Sequence, residues 1–167
     1  DRFQRNLPMF RPLLCALALT SMLLHLGVKP VMAAHDPSRW ESEIQAFEKQ
    51  DRNAPPASGS ILFTGSSSVR LWTNLVSAFP GKPVFGRGFG GSHFSDLNHF
   101  VPRIVLPYAP KHVLVYEGDN DLAAGKTPES IQKDFESFVA AVKAKLPKAR
   151  ISYLAIKPSR ARWGLID

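Results

Sequence analysis

Three short runs in this sequence bring together a hydroxyl, glycine N–H groups and a side-chain amide. They are Gly65-Ser66-Ser67-Ser68, Gly86-Arg87-Gly88-Phe89-Gly90-Gly91-Ser92 and Glu117-Gly118-Asp119-Asn120-Asp121. A serine hydroxyl attacks a carbonyl once a base takes its proton. The tetrahedral oxyanion that follows needs hydrogen-bond donors already aimed at it, and glycine N–H groups and an asparagine amide both qualify. Each run also has a plainer use. Serine is a favoured helix N-cap. Asp119 and Asn120 suit an Asx-turn. Gly86, Gly88 and Gly91 fit G-x-G-x-x-G, but a dinucleotide site also wants an acidic residue about 20 positions further on. Asp96 comes too early for that role, and Glu117 falls at the end of the next strand. Asp119 and Asp121 have no neighbouring His or Cys in sequence, so no metal is expected.

These runs matter only if the fold brings them to one place. Short apolar stretches at 60–64, 83–85, 112–116 and 150–156 read as strands, and His112-Val113-Leu114-Val115-Tyr116 is apolar enough for a parallel strand covered on both faces. Between them lie helical patterns. The clearest, 128–146, sets Ile131, Phe135, Phe138, Val139 and Val142 on one face. Another, at 38–50, repeats Trp40, Ile44 and Phe47 after the capping-box spacing Ser38-Arg39-Trp40-Glu41, and the prolines and glycine of 53–59 end it. The alternation predicts an α/β fold with a mainly parallel sheet. In such sheets ligands bind beyond the carboxyl ends of the strands, where all three runs fall.

The chain has 167 residues and a formal charge of +7, which raises the question of nucleic acid. Residues 1–33 hold Arg2, Arg5, Arg11 and Lys29 against Asp1 alone, so +4 remains without them, scattered along the chain. Nucleic acid is therefore not an expected partner. The same residues read as a signal peptide, basic at the start, apolar through Val28 and ending in small residues at Ala33 and Ala34. The expected product is exported, to the periplasm or beyond, with no stable membrane span. Cys15 lies inside that signal, so a mature disulfide is not expected. The organisation expected is a signal at 1–33, an amphipathic helix and linker at 34–59 and the α/β domain at 60–167.

Taken together the runs resemble the SGNH, or GDSL-type, hydrolase family over residues 60 to about 158. Gly65-Ser66-Ser67 stands where the family has Gly-Asp-Ser, Gly88-Phe89-Gly90-Gly91-Ser92 matches its glycine block, and Gly118-Asp119-Asn120-Asp121 matches Gly-x-Asn-Asp. The resemblance implies a three-layer, flavodoxin-like sandwich and a serine esterase needing no cofactor. Ser67 would be nucleophile and oxyanion donor, Gly91 and Asn120 the other donors. A small-molecule, carbohydrate or lipid ester would be the substrate. Ser66 replaces the usual Asp. The family's Asp-x-x-His block, which supplies the base and its orienting acid, is not present in this chain. No His follows Lys157-Pro158-Ser159, and the chain, starting without Met and stopping at Asp167, reads as a fragment. His93 and His99 are weaker substitutes for the base, and His112 precedes its strand. A second expectation stands beside the enzyme: a non-catalytic domain of this type that holds an acyl or glycan ligand.

Overall fold

The computed structural model describes residues 36–160 and 162. The expected signal at 1–33, with Cys15, lies outside the described residues. Four strands form one sheet in the order β2-β1-β3-β4, all parallel: β1 (Ile61–Gly65), β2 (Val84–Gly88), β3 (His112–Tyr116) and β4 (Arg150–Tyr153). The helices are α1 (Glu41–Asn53), α2 (Ser67–Arg70), α3 (Leu75–Ala78), α4 (Phe94–Ile104), α5 (Asp119–Ala123) and α6 (Pro128–Lys145).

The twofold repeat of the strands sorts their side chains into two cores. Leu62, Val113 and Val115 point to one face, where they join Trp40, Ile44, Phe94, Leu97, Phe138 and Val142 from the N-terminal turn, α1, α4 and α6. Phe63, Val84 and Tyr116 point to the other and meet Val69 and Leu75 of α2 and α3. Helices thus cover both faces of the sheet, giving the expected three layers. The second cover is thin, since α2 and α3 have four residues each and leave Leu71 and Val76 exposed.

Two local readings change. The N-terminal turn Pro37–Trp40 is capped by Asp36, not by the Ser38 box; Asp36 accepts from Ser38 N–H at 2.9 Å and from Ser38 Oγ at 2.7 Å. Pro37 explains this, because its fixed φ suits the first helical position and places the cap one residue earlier. The second strand runs on to Gly88, so Gly86 and Gly88 are strand residues and not a phosphate-cradling turn. A Cβ on Gly88 would come within 2.5 Å of Arg70 N and 2.8 Å of Val69 Cβ. The glycine there lets α2 lie directly on the sheet.

Candidate active site

The strand register carries the three runs to one edge. Gly65 pairs with Gly88 on one side and Tyr116 on the other, so Ser67, Gly91 and Asn120 all follow closely aligned strand ends. Cross-links hold the turns together. Ser66 N–H donates to Tyr116 O at 3.0 Å, and Phe89 N–H to Gly65 O at 3.0 Å. Gly65 itself has φ 130°, and a Cβ there would fall 1.9 Å from Tyr116 O, so only glycine permits the approach of β1 to β3.

Ser66, not Ser67, occupies the N-cap position of α2, and its hydroxyl reaches Asp119 Oδ1 at 3.4 Å instead of capping the helix. Ser67 is the first helical residue. A first-turn N–H has no acceptor within its own helix. Among the described residues, no group hydrogen-bonds to the Ser67 hydroxyl, and no acceptor takes the N–H of Ser67 or of Gly91. Gly91 has φ 78°, a backbone state that favours glycine. The Asn120 amide is fixed at both ends: Nδ2 donates to Ser92 O at 2.9 Å, and Oδ1 accepts from Arg162 Nη2 at 2.8 Å. Its second Nδ2 proton remains to give.

Several residues that brace the site carry no local signal in the sequence. Arg39 Nη2 donates to Gly91 O at 2.7 Å, and Trp40 Nε1 to Gly90 O at 2.9 Å, so the turn before α1 holds the glycine loop. Trp40 was legible as a core residue; its indole bond was not. Arg162 also lies 3.0 Å from Asp119 Oδ2. With Asp119, Leu122, Ile156, Lys157, Pro158 and Ser159 it lines a cleft of about 50 Å³ beside Asn120, which does not include Ser67. Lys157 Nζ donates to Ser68 Oγ at 2.7 Å and lies 4.9 Å from the Tyr116 ring centre.

Asp119 and Asp121 diverge. Asp121 is fully buried, lies 2.8 Å from Lys126 Nζ and accepts the Phe94 N–H at 3.1 Å. Each carboxylate has its own cation, and the pair is not arranged as a shared ligand set. Glu117, also fully buried, faces Ser92 and is pushed well above the ordinary carboxyl range by burial and then by Asp121. Tyr153 donates to Glu117 O at 2.8 Å, and burial, followed by Glu117, pushes its phenol up to about 12. Among the described residues no histidine hydrogen-bonds to Ser67. His93 Nδ1 is 3.7 Å from Asp121, His99 packs edge-on to Phe100 at 4.7 Å, and His112 Nε2 is 2.9 Å from Ser152 Oγ at the amino end of β3.

Fold and site together define an α/β protein with a parallel sheet whose carboxyl edge carries a half-buried serine at the start of α2 and hydrogen-bond donors on the neighbouring turns. The same fold occurs in several solved structures. A candidate platelet-activating-factor protein from Streptococcus pneumoniae superposes with a TM-score of 0.64 at 19% identity, covering 77% of this chain and 62% of that one. A GDSL-like lipase from Bacteroides thetaiotaomicron gives 0.56 at 19% identity, covering 74% and 60%. A candidate acylhydrolase from Bacteroides fragilis gives 0.56 at 21% identity, covering 65% and 55%. The resemblance to SGNH hydrolases holds at the level of fold. The chain spans about 55–62% of the length of these structures. No family model and no curated protein matches the sequence.

Proposed function

We infer that this chain is the nucleophile-bearing part of an exported serine esterase that cleaves acyl esters, with acetyl or another short acyl group the first to test. The observation that carries this reading is a set of uncommitted donors on the turns after the aligned ends of β1, β2 and β3: the N–H groups of Ser67 and Gly91 and the remaining Nδ2 proton of Asn120. Ser67 Oγ attacks the acyl carbonyl, the carbonyl oxygen takes up negative charge against those donors, and the alcohol leaves. Water then releases the acid from the acyl-enzyme. Both steps need a base. That base and its orienting acid belong, in this proposal, to chain outside the described residues. Export rests on the pattern of residues 1–33. Among the described residues no helix is long and apolar enough to cross a membrane.

The test is release of p-nitrophenol from p-nitrophenyl acetate by the complete protein and by its Ser67→Ala variant. Hydrolysis that vanishes with Ser67 supports the esterase. Equal rates in the two proteins, or none in either, turn the reading toward the alternative in which the same loops bind an acyl or glycan ligand without cleaving it.

A further inference from the structure

The geometry points to Glu117 as a neutral carboxylic acid that donates a hydrogen bond to Ser92 Oγ and so positions the Ser92 carbonyl that orients Asn120. This deepens the esterase reading and rests on it for the role, though not for the protonation state.

The argument is a count of protons. Ser92 Oγ lies 2.9 Å from Phe89 O and 3.1 and 3.2 Å from Glu117 Oε1 and Oε2. A hydroxyl carries one proton, and a peptide carbonyl can only accept. If Ser92 gave its proton to an ionised Glu117, Phe89 O would face an oxygen lone pair. Among the described residues Phe89 O has no other donor. If Ser92 gives its proton to Phe89 O, both contacts are satisfied provided Glu117 supplies the second proton. Ser92, Phe89 and Glu117 are all at 0% exposure, so neither oxygen has water to turn to, and an orphaned buried acceptor costs roughly 1–3 kcal/mol.

The charges around the carboxyl agree. Asp119 and Asp121 on α5 and Asp96 on α4 all act against ionisation of Glu117. The cations nearby are engaged elsewhere, Lys126 with Asp121 and Asp134 and Arg162 with Asp119. His93 of the α4 cap faces Asp121 at 3.7 Å, and Tyr153 of β4 gives its phenol proton to the Glu117 carbonyl, not to the carboxyl. A carboxylic acid kept neutral by its surroundings so that it can donate is a known device in enzyme sites. Here it acts through a serine, so Glu117 is a positioning residue.

A Glu117→Gln variant keeps the shape and a proton to give, whereas Glu117→Leu keeps the bulk and gives nothing. On the full chain, the infrared difference between wild type and Glu117→Gln at neutral pH should show the loss of a protonated-carboxyl C=O band. Loss of a carboxylate band overturns the protonation. The Asn120 side-chain amide signals in a nitrogen–proton NMR spectrum should stay in place in Glu117→Gln and move in Glu117→Leu. Signals unmoved in Glu117→Leu overturn the positioning role. Neither readout needs turnover, so both stand even if the protein proves not to hydrolyse esters. The folded state holds this proton more tightly than the unfolded chain does. Its stabilising contribution is therefore full below the unfolded-state pKa and is lost as pH rises through the raised folded value. Melting temperature should accordingly fall more steeply in wild type than in Glu117→Gln as pH rises above the ordinary carboxyl range, and parallel slopes from there upward count against the neutral acid.

Discussion

Along the β2–β3 half of the sheet's carboxyl edge, Ser92, Glu117 and Asp121 are buried, and each is bonded to a neighbouring turn. Along the β1 half, the Ser67 hydroxyl has no hydrogen-bonding partner among the described residues, and the chain just beyond it leaves Leu71, Trp72 and Val76 at the surface. The contrast follows from what each half has to do. Donors that stabilise charge work best when fixed before the reaction, because they then need no reorganisation as charge develops. A nucleophile has to be reached, by substrate on one side and by a base on the other. In the proposed esterase, the donors of the oxyanion half all lie within the described residues, and the base of the proton-transfer half lies outside them.

Perturbing the rigid half should cost most. Asn120→Ala removes a donor without changing charge and should lower kcat of the complete protein roughly 100- to 1,000-fold, about 2.7–4 kcal/mol. A fall in KM-dependent binding alone, with kcat intact, would place Asn120 outside the transition state. Gly65→Ala attacks the joint between the halves. Its Cβ has to displace the Tyr116 carbonyl and take a positive φ, so a loss of about 3 kcal/mol or more is expected in denaturant unfolding. The smallest effect should come from Arg39→Ala. Losing one hydrogen bond to Gly91 O, worth about 1 kcal/mol, should slow hydrolysis about fivefold by loosening the loop. An unchanged rate there would mean that the glycine loop holds its shape without the N-terminal turn.

Much of this was legible because local and global signals agreed. Apolar runs at β1 and β3 could only be buried strands, the stripe on α6 needed a sheet to cover, and a serine immediately after a strand had one place to point. Strand ends and block order singled out Ser67, Gly91 and Asn120 as candidates, and the register sets all three on the turns after aligned strand ends. What escaped notice acts across long separations. Arg39 and Trp40 reach a loop 52 and 50 residues away, and Arg162 reaches back 42 residues to Asn120. No spacing rule connects such pairs. Gly86 and Gly88 lie inside β2 and not beyond the expected strand at 83–85, because their purpose, close packing of α2 and α3 on β2, depends on tertiary neighbours. Glu117 falls at a strand end in sequence, and only the fold shows that it is fully buried against a Ser92 hydroxyl that also faces Phe89 O.

Reaction of the complete protein with a fluorophosphonate, followed by peptide mapping, addresses the nucleophile directly. The reagent forms a stable adduct only on a serine activated within a working site. The account predicts one adduct, on Ser67, absent from Ser67→Ala and unaffected by alanine at Ser66 or Ser68. An adduct on either neighbouring serine, or labelling that survives Ser67→Ala, would contradict it.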